Sequence, residues 1–122
     1  MAIDFSLTPE LEAIRARVRT FVNDVIRPGG EIIDGKGDNE ALTGEDRLKA
    51  LIGMRRQARA EGLWLPHMPE EWGGMGLGHV ELAMVQAEAA RSYYGPWVLN
   101  CQAPDEGNMH TLLHWATDAQ KE

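Results

Sequence analysis

The chain has 122 residues, which is enough for one domain and too few for two ordinary ones. Apolar residues make up 43% and charged residues 25%, a composition typical of a globular protein rather than a disordered one. The formal net charge of -7 argues against nucleic-acid binding, because phosphates require a basic surface, and the single cysteine excludes an internal disulfide bond.

The sequence gives no sign of export or of membrane insertion. Residues Met1 to Phe5 lack the basic and apolar regions of a secretory signal. No run approaches the roughly 20 apolar residues that cross a bilayer. We therefore expect a soluble cytoplasmic protein, although a transit peptide removed earlier would leave the same sequence.

The first helix is predicted to begin after Thr8, whose hydroxyl suits an N-cap, with Pro9 in the first turn. We expect it to stop at Pro28, Gly29 and Gly30, and residues 29–44 to form a polar connector. The apolar residues of this helix recur at helical spacing, namely Leu11, Ile14, Val18, Phe21, Val22 and Val25.

A second helix is predicted from Thr43, with Asp46 completing a short capping box, to Gly62 as the C-terminal cap. Three of its arginines form the only dense basic run of the chain, and they are expected to lie on a solvated flank. Residues 63–78 contain two prolines and four glycines, which argues against both helix and regular strand. The segment is nevertheless rich in apolar side chains, so it must be pinned against another part of the protein. The three arginines of the basic run in this second helix are Arg55, Arg56 and Arg59.

The third helix is predicted over His79 to Arg91, and it is apolar nearly all round, which favours a central position buried on several sides. An apolar loop is expected from Trp97 to Pro104, followed by a helix from about Asp105 and the start of another after Thr117. These elements predict an all-α fold, an orthogonal or up-down bundle of four to five helices with long apolar loops, as one domain over residues 1–122.

No motif indicates an active site from spacing alone. The glycines of residues 73–78 follow a proline-rich loop rather than a strand, so a structural turn is favoured over a nucleotide site. His110 and His114 share a helix face, but two ligands fall short of a structural zinc site, and partly exposed histidines are favoured. Cys101 is interpreted as a small buried thiol. We therefore assign no catalytic, cofactor-binding or metal-binding residue.

Several segments resemble the N-terminal domain of acyl-CoA dehydrogenases. The most specific is residues 69–77, which read Pro-Glu-Glu-Trp-Gly-Gly-Met-Gly-Leu. Residues 5–10 resemble the start of the family's opening helix, and residues 88–90 match its third-helix pattern. Residues 100–109 resemble the subgroup found in the larger eukaryotic members and their bacterial relatives, and residues 117–121 match the entry into the next helix. The resemblance covers essentially the whole chain.

This resemblance implies a complete enzyme with a middle β domain and a C-terminal helical domain, which together hold FAD. The base that removes the α-proton of the acyl-CoA substrate, and the main flavin contacts, have no match here. No FAD is therefore expected on this chain alone. The domain is instead expected to supply a wall of the acyl-chain pocket. The residues expected in this wall are Trp97, Val98, Asn100, Cys101, Gln102 and Asp105. For Trp97 and Val98 the alternative is that they simply pack in the core.

Two functions stay open at this point. The chain is either a domain of a flavin-dependent acyl-CoA dehydrogenase, inactive alone, or a stand-alone interaction module derived from that family. A reading frame that continues past Glu122 favours the first, and a stop codon there favours the second. The apolar loops also predict self-association of the isolated chain, by exchange of a helix for example, or contact with the missing domains.

Overall fold

The computed structural model describes residues 6–122, and every regular element in them is helical. Residues 1–5 lie outside the described residues. They include Phe5, which belongs to the segment that resembles the family's opening helix, and the N-terminal stretch that lacks the features of a secretory signal. None of the helices in the described part combines the length and apolar character that a membrane span requires. The α-helices are α1 (Pro9–Phe21), α2 (Arg27–Asp34), α3 (Gly44–Ala60), α4 (His79–Ala89), α5 (Gly95–Leu99), α6 (Asp105–Trp115) and α7 (Asp118–Lys121).

The all-α prediction is confirmed, and the four long helices α1, α3, α4 and α6 are those predicted from the sequence. Their predicted starts agree with the observed caps. The Thr8 hydroxyl accepts a hydrogen bond from the Leu11 N–H at 3.4 Å. At α3 the capping box is complete, since Thr43 Oγ1 accepts from the Asp46 N–H at 3.2 Å and Asp46 Oδ2 accepts from the Thr43 N–H at 3.1 Å.

The predicted stop at Pro28, Gly29 and Gly30 is wrong, because the chain continues from α1 through a π-helical segment, Val22–Ile26, into α2. Pro28 lies in the first turn of α2, where a missing N–H is tolerated. The two glycines allow close packing rather than a turn. A Cβ on Gly29 would lie 2.3 Å from Met54 Sδ, and one on Gly30 would lie 2.9 Å from the Tyr94 ring. The irregular connector is therefore limited to the residues after α2.

The core is formed by side chains from the α1–α2 helix, α3, α4 and α5, together with the loop that follows α3. That loop is pinned to the core as predicted, since six consecutive residues, 63–68, are buried. The Leu65 N–H donates to the Leu99 carbonyl at 3.0 Å, which joins the loop to α5. The largest fully buried side chains are Phe21, Ile26, Leu63, Leu99, Val18, Val22, Val85 and Val98.

Helix α4 leaves one face in solvent, so it is less enclosed than its all-round apolar sequence predicted. Leu82, Val85 and Ala89 face α1 and α5 and are buried. The opposite face is in solvent, with Val80 at 69% exposure. The helix is apolar all round in sequence, but in the described chain only the elements on one side are available to cover it.

The buried Glu88 joins α4 to α1. Its carboxylate accepts hydrogen bonds from Arg19 Nε at 3.0 Å, from a second Arg19 nitrogen, and from Arg91 at 3.3 Å. The hydrogen bonds from Arg19 hold the pKa of Glu88 below its ordinary value. This charged contact satisfies a carboxylate that would otherwise be costly to bury.

The loop predicted from Trp97 to Pro104 begins as a helix. One turn, α5, covers Gly95–Leu99, with Pro96 in its first turn and Asn100 ending it at φ +55°. A proline there breaks the preceding helix and also starts the next one, which is why the sequence pattern suggested a loop. The irregular segment is therefore shorter than expected.

Candidate functional site

The segment predicted to line a ligand pocket is α5 and the residues that lead into α6. The structure places the first two candidates in different environments. The Trp97 indole is 45% exposed, whereas Val98 is fully buried in the core. Any ligand that approaches this surface can therefore touch Trp97, while Val98 supports it from behind.

Arg55 of α3 holds the end of α5 in place. Its Nε and one terminal nitrogen donate to the Trp97 carbonyl at 3.1 and 3.0 Å, and the same terminal nitrogen donates to Asn100 Oδ1 at 3.1 Å. The guanidinium carbon also lies 5.2 Å from the centroid of the Trp97 ring and 5.3 Å from that of Trp64. These distances are those of cation–π contacts. Arg55 is therefore not a solvated flank residue, and that part of the prediction is wrong.

The remaining three candidates lie beyond α5 and differ in burial. Cys101 is 1% exposed, and burial raises the pKa of its thiol to about 12. A thiol with that pKa stays protonated at neutral pH, so it is no nucleophile, in agreement with the buried-thiol interpretation. Gln102 is half-buried and Asp105 is exposed at the start of α6.

The glycine run of residues 73–78 forms a compact turn, as predicted. Gly73 and Gly76 have φ of +80° and +63°, and a Cβ on Gly74 would lie 2.1 Å from the Met68 carbonyl oxygen. The Gly74 N–H donates to the Pro69 carbonyl at 3.1 Å, and the Gly76 N–H to the Met68 carbonyl at 2.9 Å. These N–H groups are satisfied within the turn, so they do not form a cradle for phosphate.

A histidine cluster lies between the buried loop and α6. His67 is 6% exposed, and neither of its ring nitrogens has a hydrogen-bond partner. Its ring centroid is 5.3 Å from that of His110, which is 6.5 Å from that of His114. Burial lowers the pKa of His67, which favours the neutral ring. Within residues 6–122 no three His, Cys, Asp or Glu side chains are arranged to hold a metal ion.

A concave surface that the sequence did not predict lies between the buried loop and the last two helices, α6 and α7. It is a shallow cavity of about 200 Å3 with mostly apolar walls. Leu112, which lines it, is 50% exposed, and Trp115 on the same helix is 86% exposed. The residues that line the cavity are Leu65, Met68, Trp72, Met109, Leu112, Leu113, Gln120 and Lys121.

Comparison with known proteins decides the family. The model of the acyl-CoA dehydrogenase N-terminal domain matches residues 8–122, which is nearly the whole chain. The chain belongs to the acyl-CoA dehydrogenase family. It is similar to acyl-CoA dehydrogenase family member 11 of Homo sapiens, with 38% identity over 119 residues that cover 96% of this chain and 15% of that protein.

Two further members of the family are also similar. The (2S)-methylsuccinyl-CoA dehydrogenase of Cereibacter sphaeroides is 30% identical over 115 residues, which cover 94% of this chain and 19% of that enzyme. A solved structure described as an acyl-CoA dehydrogenase from Mycobacterium abscessus superposes with a TM-score of 0.77 at 30% identity, over 96% of this chain and 30% of that one. The chain thus spans less than a third of the length of each of these relatives.

Proposed function

We propose that this chain is the N-terminal domain of a flavin-dependent enzyme that introduces an α,β double bond into an acyl-CoA thioester. The match of residues 8–122 to the family's N-terminal domain supports this proposal. The domain would bind and orient the acyl group, and the reacting groups would belong to the other domains of the enzyme. On this proposal the chain alone is inactive.

In the complete enzyme, the chemistry that FAD would supply is the two-electron oxidation of the acyl group. On this proposal the binding site of FAD belongs to the other domains of the enzyme. The only glycine-rich turn, residues 73–78 of the described chain, uses its N–H groups internally, as shown for Gly74 and Gly76. We therefore assign no flavin contact to this chain.

The contribution that we propose for this domain is a wall of the acyl-chain pocket built on Trp97, Asn100, Gln102 and Asp105, with Val98 and Cys101 behind it. The observation that carries this proposal is the contact of Arg55 with Trp97, which holds a half-exposed indole in one orientation. A rigid aromatic wall limits the length or branching of the chain that packs against it.

Trp97→Ala, introduced into a full-length enzyme that contains this domain, is expected to shift the preference toward longer acyl-CoAs. The ratio of kcat/KM between a long and a short straight-chain acyl-CoA should rise by about tenfold, the effect of roughly one or two methylene contacts. Trp115→Ala is the control, because Trp115 is 86% exposed and lies on α6 rather than on α5. An unchanged ratio in the Trp97 variant would contradict the wall.

A second function, a stand-alone interaction module, is supported by the exposed apolar side chains of α6. We propose that the isolated chain self-associates through them. Light scattering at high micromolar concentration should detect a dimer or larger species, and Trp115→Ser should shift the mass toward that of the monomer. Val80→Ser is the matched control, because Val80 is 69% exposed on α4. A wild-type chain that is monomeric at that concentration would refute self-association.

A further inference from the structure

One face of α3 combines two exposed aliphatic side chains with a group of arginines. Leu48 and Ile52 are 55% and 39% exposed and lie one turn apart. The same stripe continues at helical spacing through Arg55 and Arg56 to Arg59. We call these five residues, together with the adjoining Trp64, the outer α3 face.

The basic half of the outer α3 face has no carboxylate partner. Arg56 and Arg59 are exposed, and neither forms an ion pair or a hydrogen bond within residues 6–122. The Glu45 carboxylate at the other end of α3 is paired with Lys49 at 2.8 Å. Glu61, after the helix, accepts a hydrogen bond from Gln57 at 3.0 Å. This face therefore concentrates unpaired positive charge in a chain whose net charge is -7.

The arginines surround a shallow cavity and two of them are held by stacking. The cavity is about 300 Å3 and is lined by Ile52, the three arginines and Trp64, with no acidic side chain among them. The guanidinium carbons of Arg59 and Arg55 lie 5.0 and 5.3 Å from the centroid of the Trp64 ring. Stacking restricts the rotamers of an arginine before a ligand arrives, so less entropy is lost when it binds a carboxylate.

We propose that the outer α3 face is a docking site for an acidic segment of another protein that carries aliphatic side chains between its carboxylates. The arginines provide charge complementarity for the carboxylates, while Leu48 and Ile52 provide contact for the aliphatic groups. From Leu48 to Arg59 the face extends roughly 16 Å along the helix, the length of about three helical turns of a partner. This inference goes beyond the proposed role in acyl binding and does not depend on it.

The shape and composition of the face favour a protein segment over other anions. A single phosphate or carboxylate would use only the arginine end and would leave the two aliphatic side chains in water. A nucleic acid would meet the repulsion of a strongly acidic chain outside this face. Exposed arginines beside exposed aliphatic side chains, over the mostly buried Trp64 ring, suit a protein partner, because Arg is enriched among the residues that carry most of the binding energy in interfaces.

The test uses a fluorescein-labelled peptide of about 12 residues, with Glu and Leu placed at helical spacing, and fluorescence anisotropy with the 122-residue chain. We expect saturable binding that weakens about tenfold in Arg56→Glu and weakens with added salt. Arg27→Glu is the matched control, because Arg27 is also exposed and forms no ion pair with the residues that the structure describes, but it lies on α2. It should bind the peptide as the wild type does.

The aliphatic half is tested by Ile52→Ser, which should weaken binding about fivefold or more at both low and high salt, since the loss is not electrostatic. Far-UV circular dichroism confirms that each variant is folded. Three outcomes would overturn the proposal. The first is no detectable binding of the peptide, and the second is an Arg27→Glu effect as large as that of Arg56→Glu. The third is equal binding of a peptide that carries Ser in place of Leu.

Two further outcomes would also overturn it. An oligothymidylate of about 12 nucleotides that binds as tightly as the peptide would show a general attraction for polyanions. A dimeric wild-type chain that becomes monomeric in Arg56→Glu would show that a second copy covers this face. None of these results depends on the acyl-chain preference of Trp97→Ala, so the two proposals can fail separately.

Discussion

Gly95→Ala is expected to destabilise the chain by about 3 kcal/mol or more, because the added methyl group would overlap the backbone of α4. A Cβ on Gly95 would lie 1.9 Å from the Ala89 carbonyl oxygen and 2.6 Å from the carbonyl carbon. Both atoms belong to the main chain at the end of α4, so no rotamer change can relieve the contact. Helix α5 would have to move away from α4 and expose Val98 and Leu99.

The measurement is urea unfolding at one fixed protein concentration, followed by circular dichroism, because self-association would make apparent stability depend on concentration. Gly53→Ala is the matched control. Gly53 is exposed inside α3, and a Cβ there would meet no atom within 4 Å. Removing a glycine from a helix interior should stabilise the chain by roughly 0.5 to 1 kcal/mol. Equal unfolding midpoints for Gly95→Ala and the wild type would refute the close approach of α5 to α4.

Leu99→Ala is expected to cost about 2 to 5 kcal/mol of unfolding free energy, because it would leave a cavity where α5 meets the buried loop. Leu99 is fully buried, and its carbonyl accepts the Leu65 N–H at 3.0 Å. The backbone contact survives the substitution, so the measured loss reports on the packing of the side chain. The loss should lie toward the lower end of the range if the neighbouring core can collapse into the space.

The same substitution at an exposed site separates burial from helix propensity. Leu112 of α6 is 50% exposed, so Leu112→Ala should cost about 1 kcal/mol or less. The two variants are compared by the midpoint and slope of urea unfolding, and the slope should stay unchanged. If Leu99→Ala were no more destabilising than Leu112→Ala, the placement of α5 in the core would be incorrect.

The predictions that the structure confirms depend on local chemistry. A capping box, with Thr43 as the N-cap and Asp46 three residues later, predicted the start of α3. The structure shows the same arrangement at the start of α7. There Gln120 Oε1 accepts the Thr117 N–H at 3.0 Å. The prolines and glycines of residues 63–78 likewise predicted an irregular segment. In each case the interaction that decides the structure lies within a few residues of the sequence.

The predictions that failed depend on neighbours that are distant in sequence. Gly29 and Gly30 look like a helix stop, but they allow α2 to approach Met54 and Tyr94 closely. Arg55 looks like a surface charge, but its guanidinium stacks on Trp64 in the loop after α3 and on Trp97 in α5. No spacing rule along the chain brings these partners together.

Part of the candidate site could likewise be predicted from the sequence, and part depends on tertiary packing. The apolar character of the segment around Trp97 and the family resemblance could be found from the sequence, and so could the assignment of Cys101 as a buried thiol. Which candidate points outward could not. Val98 and Trp97 are adjacent and both apolar, and only the packing of α5 against the core buries one and exposes the other.

The amino-acid sequence by itself determined the helical class, the positions of the four long helices and the family to which the chain belongs, because capping groups, apolar periodicity and a run of matching residues are local patterns. The tertiary structure alone decided that α1 continues past Pro28, that α5 forms, that α4 leaves one face in solvent and that Arg55 stacks on Trp64 and Trp97. Burial and close approach arise between elements far apart in the chain, and their energies depend on shapes that exist only once those elements pack together.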